Sequence, residues 1–409
     1  METDAFSPTP AAAGRQTVTV RPPPAPPPAE RSAKFWLRLL PLALVGAGAG
    51  YLGVKFGAQL GAGVLPRGAG SKWLGLAPVL FLPFVWLLAV AVHELGHLLG
   101  GWAVGGKFLL YAVGPWKWQR TPGGVRFFWN WSLNAAGGLA SCLPLEAERT
   151  TPRRMAVMIA GGPLASLLLA LAALWAAVAI ADPAATNAGR EIAHRGVISV
   201  AWMSLIVALA TLLPSTMCGF KSDGRRLFEL LRGDRRSDQE TALMALTATS
   251  LAGVRPADFD PALVERALVL RDGSIFDLYA HFTAYAHAAD LGEMARAQAH
   301  LDYVLAGEAK LLPLLREMAR AEYAWLLATQ TGDAAVARAW IATAGRLDFD
   351  PATRLRAEAA VLLAEGRRRE AAATAREGLA ALEHRSMSPV KSAFALDALE
   401  DTLRRAAEA

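Results

Sequence analysis

Long apolar runs with few charges dominate the chain. Four follow one another. The first covers about residues 35–54, extends toward Pro66, is Gly-rich and is interrupted by Lys55. The second runs from Trp73 to Gly106 with Glu94 as its only formal charge, and the third, Met155–Ala181, and fourth, Gly196–Phe220, carry no acidic or basic residue. A bilayer-spanning helix needs roughly 20 apolar residues, so the pattern predicts about four transmembrane helices. Before them, residues 1–34 are polar and Pro-rich, with the run RPPPAPPPAE, and predict a disordered tail. No cleavable signal peptide is expected, because the first apolar stretch begins too late.

Beyond Gly233 the pattern changes to Ala, Leu, Arg and Glu with apolar positions at helical spacing. Ala324, Gly332 and Ala337 are echoed by Ala360, Gly366 and Ala371, with the two glycines thirty-four positions apart. Tyr285, Gly292 and Ala295 form a looser copy. Thirty-four residues is the period of tetratricopeptide repeats, although an Ala-rich helical bundle produces similar echoes. Between the second and third apolar runs lie Trp116, Trp118, Phe127, Phe128, Trp129 and Trp131, around Thr121-Pro122-Gly123-Gly124. Pro-Gly-Gly between aromatic runs predicts a tight turn joining two short strands. The aromatics read first as an interfacial belt; the other reading is an edge strand that pairs with an extended substrate.

Composition supports lipid burial: 54% of residues are hydrophobic and 19% charged, where soluble domains are nearer a quarter charged. The net charge of +6 does not point to nucleic acid, because the basic residues flank apolar runs. Lys107, Lys117, Arg120, Arg126, Arg149, Arg153 and Arg154 lie between the second and third runs, and Lys221, Arg225, Arg226, Arg232, Arg235 and Arg236 follow the fourth. The other loops carry only Lys55, Arg67, Lys72, Arg190 and Arg195. The positive-inside rule then places the N-terminus, the central loop and the C-terminal region in the cytosol. Cys142 and Cys218 are the only cysteines, so neither a disulfide framework nor a CxxC zinc site is expected.

The chemistry begins at His93-Glu94-Leu95-Gly96-His97, an HExxH motif inside the second run. On a helix, positions i and i+4 share one face, so both imidazoles reach a single ion while Glu94 serves as general base toward a water that zinc would acidify. Ionisable residues within a membrane helix are costly and point to function. A catalytic zinc takes three protein ligands. Asp223, in Lys221-Ser222-Asp223-Gly224-Arg225, follows the end of the fourth run, on the face where His93 is expected. Its alternative role is a helix N-cap. Cys218 reads as a small core residue, and His194, His281, His287, His300 and His384 lack ligand-like spacing.

HExxH within a span, then Ala160-Gly161-Gly162-Pro163-Leu164, then Leu213-Pro214 with Ser222-Asp223-Gly224 downstream, resembles the site-2-protease group of intramembrane metallopeptidases (M50-type), as a divergent bacterial member. The resemblance covers roughly residues 73–232. It implies Zn2+ held by His93, His97 and Asp223, Glu94 as the catalytic carboxylate, and cleavage of a membrane-associated protein or peptide near the cytosolic face. Thr211 and Ser166 stand where many members have Asn, a residue able to stabilise an oxyanion, and either hydroxyl could give shorter-reach support to the transition state or substrate.

The expected architecture is an all-α polytopic bundle with a small cytosolic hairpin region. It comprises a cytosolic tail over residues 1–34, a membrane metallopeptidase domain over 35–232 and a cytosolic repeat-like helical domain over 233–409. The expected location is a bacterial inner membrane, with the helical domain docking a protein partner. Two rivals are a non-proteolytic scaffold or peptide export component that retains the metal fold, and a transporter using intramembrane ionisable residues.

Overall fold

A computed structural model describes residues 72–121, 124–130, 137–181, 188–217, 220–345, 347, 350–384 and 392–408. The expected tail and first span lie outside the described residues. Among those described, three helices are long and apolar enough to cross a bilayer, making the chain an integral membrane protein. They are α1 (Lys72–Ala103), α2 (Pro152–Ile180) and α3 (Ala188–Leu212). Their outer faces expose Leu164, Leu168, Leu171, Trp175 and Val178, as lipid contact permits. Lipid tails are as apolar as leucine, so spans associate through close backbone packing at small residues. Gly96 and Gly100 of α1 meet Gly161 and Val157 of α2 in this way.

The segment between α1 and α2 forms a four-stranded antiparallel sheet, where the sequence predicts an all-α bundle with one small hairpin. Its strands are β1 (Lys107–Val113), β2 (Trp116–Thr121), β3 (Gly124–Trp129) and β4 (Leu139–Leu143), in the order β3-β2-β1-β4. The β2–β3 pair is the expected hairpin, with Trp118 opposite Phe127; the turn residues Pro122 and Gly123 are outside the described residues. Strands β1 and β4 have short sequences, KFLLYAV and LASCL, whose apolar runs do not display a clear alternation. The sheet also lies beside α1, not past its end. Cys142 abuts Gly101, the Tyr111 hydroxyl donates to the Ala91 carbonyl at 2.9 Å, and Gly114 touches Leu87. Strand β3 is exposed along its whole length.

After α3 the chain makes a two-stranded ribbon, β5 (Thr216–Met217) and β6 (Phe220–Lys221), followed by α4 (Asp223–Arg232) and α5 (Arg235–Leu251). Met155 and Ile159 of α2 pack with Leu227 and Leu230 of α4 and Met244 of α5. The remaining helices are α6 (Pro261–Ala267), α7 (Ile275–Asp290), α8 (Met294–Ala306), α9 (Pro313–Gln330), α10 (Ala334–Thr343), α11 (Pro351–Ala364), α12 (Arg368–His384) and α13 (Ala393–Ala407). Helices α7/α8, α9/α10 and α11/α12 pack as successive hairpins. The glycine echo has a backbone cause: Gly292, Gly332 and Gly366 sit in the three hairpin turns at φ of 78°, 68° and 75°, a region costly to any residue with a Cβ. A buried network joins the hairpins. Tyr285 donates to Glu322 at 2.6 Å, Arg356 pairs with the same carboxylate, and its guanidinium lies between the Trp325 and Phe394 rings.

His281 and His300 are buried side by side, with their Nδ1 atoms 3.0 Å apart. Burial, reinforced by Arg271, lowers His281 to about 4; burial, with His281 next in weight, lowers His300 to about 3. Both imidazoles are therefore neutral in the fold, while in the unfolded chain they take up protons near pH 6.5. Their contribution is fully present above about pH 6.5 and is lost as pH falls toward 4. Unfolding of the helical region followed between pH 7.5 and 4 should show a loss on the order of 3 kcal/mol from each imidazole. His281→Phe should flatten this dependence, and an equally steep curve in that variant would refute the assignment.

Candidate metal centre

Helix α1 presents His93 and His97 one turn apart on a single face, with ring centroids 4.9 Å apart and nearly perpendicular planes. Helix α2 sets both rings. The Nδ1–H of His97 donates to the Met158 carbonyl at 3.0 Å. A carbonyl can only accept, so this bond places the proton on Nδ1 and leaves Nε2 of the neutral ring with a free lone pair. Gly162 makes room for that ring, since a Cβ there would stand 2.4 Å from His97 Nε2. His93 Nδ1 is 3.0 Å from Ser166 Oγ, and Ser166 is fully buried. The Ser166 hydroxyl thus meets the back of the first imidazole.

The third group arrives from beyond α3. Ser222, not Asp223, is the N-cap of α4, its hydroxyl oxygen accepting from Arg225 N–H at 3.3 Å. The same oxygen accepts from Ser215 N–H at 3.0 Å and donates to the Leu213 carbonyl at 2.7 Å. Next to it, Gly224 packs so tightly on the end of α3 that a Cβ would fall 1.7 Å from the Leu212 carbonyl oxygen. Held between these two anchors, Asp223 projects toward the imidazoles. Burial raises its carboxyl, but hydrogen bonds with His93 and His97 outweigh this and hold it well below the usual carboxylate range. It is anionic at neutral pH.

Three atoms converge. His93 Nε2 lies 3.1 Å from Asp223 Oδ2, His97 Nε2 lies 3.5 Å from the same oxygen, and the two Nε2 atoms are 3.3 Å apart. Tetrahedral zinc with bonds of about 2.0–2.1 Å requires ligand atoms roughly 3.3–3.4 Å from one another. Two imidazoles and a carboxylate in such a triangle fit that ion in both chemistry and spacing. Glu94 turns toward β4, where the Ala140 N–H bonds its carboxylate and Gly138 leaves space for it.

The cluster lies within α1 and not at its end. Helix α1 continues ten residues past His93 to Ala103, about 15 Å at 1.5 Å per residue. Asp223 reaches this level of α1 because α3 ends at Leu212, where Gly224 packs on the Leu212 carbonyl. Thr211, in the last turn of α3, donates its hydroxyl to the Ala208 carbonyl at 3.2 Å, within its own helix. Sequence reasoning also missed Met158 and Ala140. They act through backbone atoms, which every residue type supplies, so no residue-type signal marks them. The Gly162 signal was visible in Gly161-Gly162-Pro163, but its reason, the His97 ring, was not.

The family model described as peptidase family M50 matches residues 81–192. The matched stretch includes the HExxH helix, the sheet and most of the α2 contacts, and ends before Thr211 and Asp223. No curated protein matches the chain, and no solved structure does.

Proposed function

The chain is a member of peptidase family M50 through residues 81–192, and from that premise we propose that it is a zinc-dependent endopeptidase cutting a membrane-associated protein or peptide near the cytosolic face. The observation that carries the reading is the 3.1–3.5 Å triangle of His93, His97 and Asp223, with Glu94 adjacent in the chain. Those three residues would hold Zn2+, which supplies Lewis acidity and brings the pKa of a water near 7. Glu94 takes a proton as general base and delivers it to the leaving amine. Met158 and Ser166 orient the two imidazoles. Strand β4 is an edge strand of the sheet beside Glu94, so an extended peptide pairing with it would bring its backbone to the carboxylate.

The basic flanks support cytosolic termini and a bacterial inner-membrane location. The domain limits of the sequence reading, 35–232 and 233–409, are retained in this proposal, with the hairpin helices as a tetratricopeptide-like dock for a protein partner. One observation favours the rival scaffold or export reading. The hydroxyls of Ser166 and Thr211 are engaged with His93 and Ala208, so neither stands ready for an oxyanion.

Metal content on detergent-purified protein tests the site. Wild type should carry about one zinc per chain, and His93→Ala and Asp223→Ala should each lose it. A wild type without zinc, purified free of chelators, would remove the peptidase reading. Full zinc in Asp223→Ala would remove that residue from the ligand set.

A further inference from the structure

We propose that Glu240 of helix α5 is a positioning residue for the metal centre, clamping the turn that carries Asp223 to the C-terminal helical region. The inference rests on the zinc reading above. His93 and His97 belong to one span and are fixed by its packing on the next. Asp223 enters from a segment past the last span, so its place relative to the imidazoles depends on whatever holds that segment.

Two residues before Asp223, Lys221 donates to Glu229 and, at 3.3 Å, to Glu240. Three residues after it, Arg226 donates to the other oxygen of Glu240 at 2.6 Å. Arg225 completes the set, bonding Glu229 at 3.0 Å and the Thr216 hydroxyl at 2.8 Å. Glu240 therefore grips both sides of Asp223 from a different helix. The Glu240 and Glu229 side chains are only 4% and 8% exposed, and carboxylates so buried persist only when paired and hydrogen-bonded. Such a pairing tolerates little drift. Helix α4 is ten residues long and exposes Phe228 and Leu231 on its outer side. Its inner side packs on Met155 and Ile159 of α2 and on Met244 of α5, and the charged network ties its first turn to α5.

The consequence is a mechanical link. A displacement of α5, such as a partner docking on the helical region would impose, moves Lys221 and Arg226 and with them the third ligand. Residues supporting metal ligands from behind typically change affinity by 10–100-fold.

The test is zinc affinity by chelator competition on the full chain in detergent, for wild type, Glu240→Gln, Lys221→Met and the double variant. Glu240→Gln should still take one zinc but about tenfold more weakly, and the double variant should be no weaker than the worse single one, as coupled residues require. Asp238→Asn, on the same helix as Glu240, breaks the exposed pair with Arg266 of α6 and should bind as wild type does. Arg226→Gln breaks the same clamp from its more exposed side and replaces Glu240→Gln if that protein does not fold. Wild-type affinity in Glu240→Gln or Arg226→Gln overturns the positioning role and leaves the metal centre standing. Absence of zinc from the wild type overturns both, which separates the two failures.

Discussion

Glu94→Gln is expected to retain zinc while peptide hydrolysis falls by roughly a hundred- to ten-thousandfold, the usual contribution of a positioned general base. The amide keeps the size of the side chain, so the cradle formed by Gly138 and Ala140 still receives it. The amide cannot take the proton, so the loss falls on turnover. None of the triangle atoms belongs to Glu94, which is why zinc should stay. The measurement pairs zinc per chain with the cleavage rate of a membrane-anchored reporter in liposomes. Hydrolysis undiminished in a zinc-loaded variant would assign the base to another group. Full cellular function without any cleavage would instead favour the scaffold or export reading.

Gly96→Val should be the most damaging change in the membrane region. A Cβ at position 96 would lie 2.2 Å from the Gly161 carbonyl oxygen and 2.6 Å from Ala165 Cβ. Neither neighbour is the movable end of a long side chain, so α1 and α2 must separate. Overpacking of this kind costs about 1–3 kcal/mol or more. The separation also pulls Met158 and Ser166 from His97 and His93, so zinc should be lost together with thermal stability in detergent. Gly196→Ala on α3, where a Cβ meets nothing within 4 Å, is the matched control and should leave both unchanged. An unaltered Gly96→Val would mean that α1 and α2 do not approach as closely as the contact requires.

The sequence by itself determined the apolar spans, the HExxH face and the helical character of the C-terminal region. All three are local properties. Hydropathy over some twenty residues decides what can lie in lipid, the 3.6-residue period decides that His93 and His97 share a face, and Gly332 and Gly366 mark turns because only a residue without a Cβ enters the left-handed region freely. The family resemblance was legible for the same reason, since its motifs are short and contiguous.

Only the tertiary structure decided the rest. That the central segment is a four-stranded sheet beside α1 depends on β1 pairing with β4 across more than twenty intervening positions, which no local period encodes. The capping of α4 passed from Asp223 to Ser222 because Leu213 and Ser215 close on the serine. The Met158 carbonyl chooses the His97 tautomer from another helix. Ser166 turned out to face His93, because antiparallel packing of α1 on α2 brings position 166 opposite 93. The level at which Asp223 meets α1, and the reach of Glu240 to both sides of Asp223, follow from where α3 stops and where α5 begins its return. These are contacts between segments far apart in the chain. Their energies come from burial and hydrogen bonding that exist only once the helices have met.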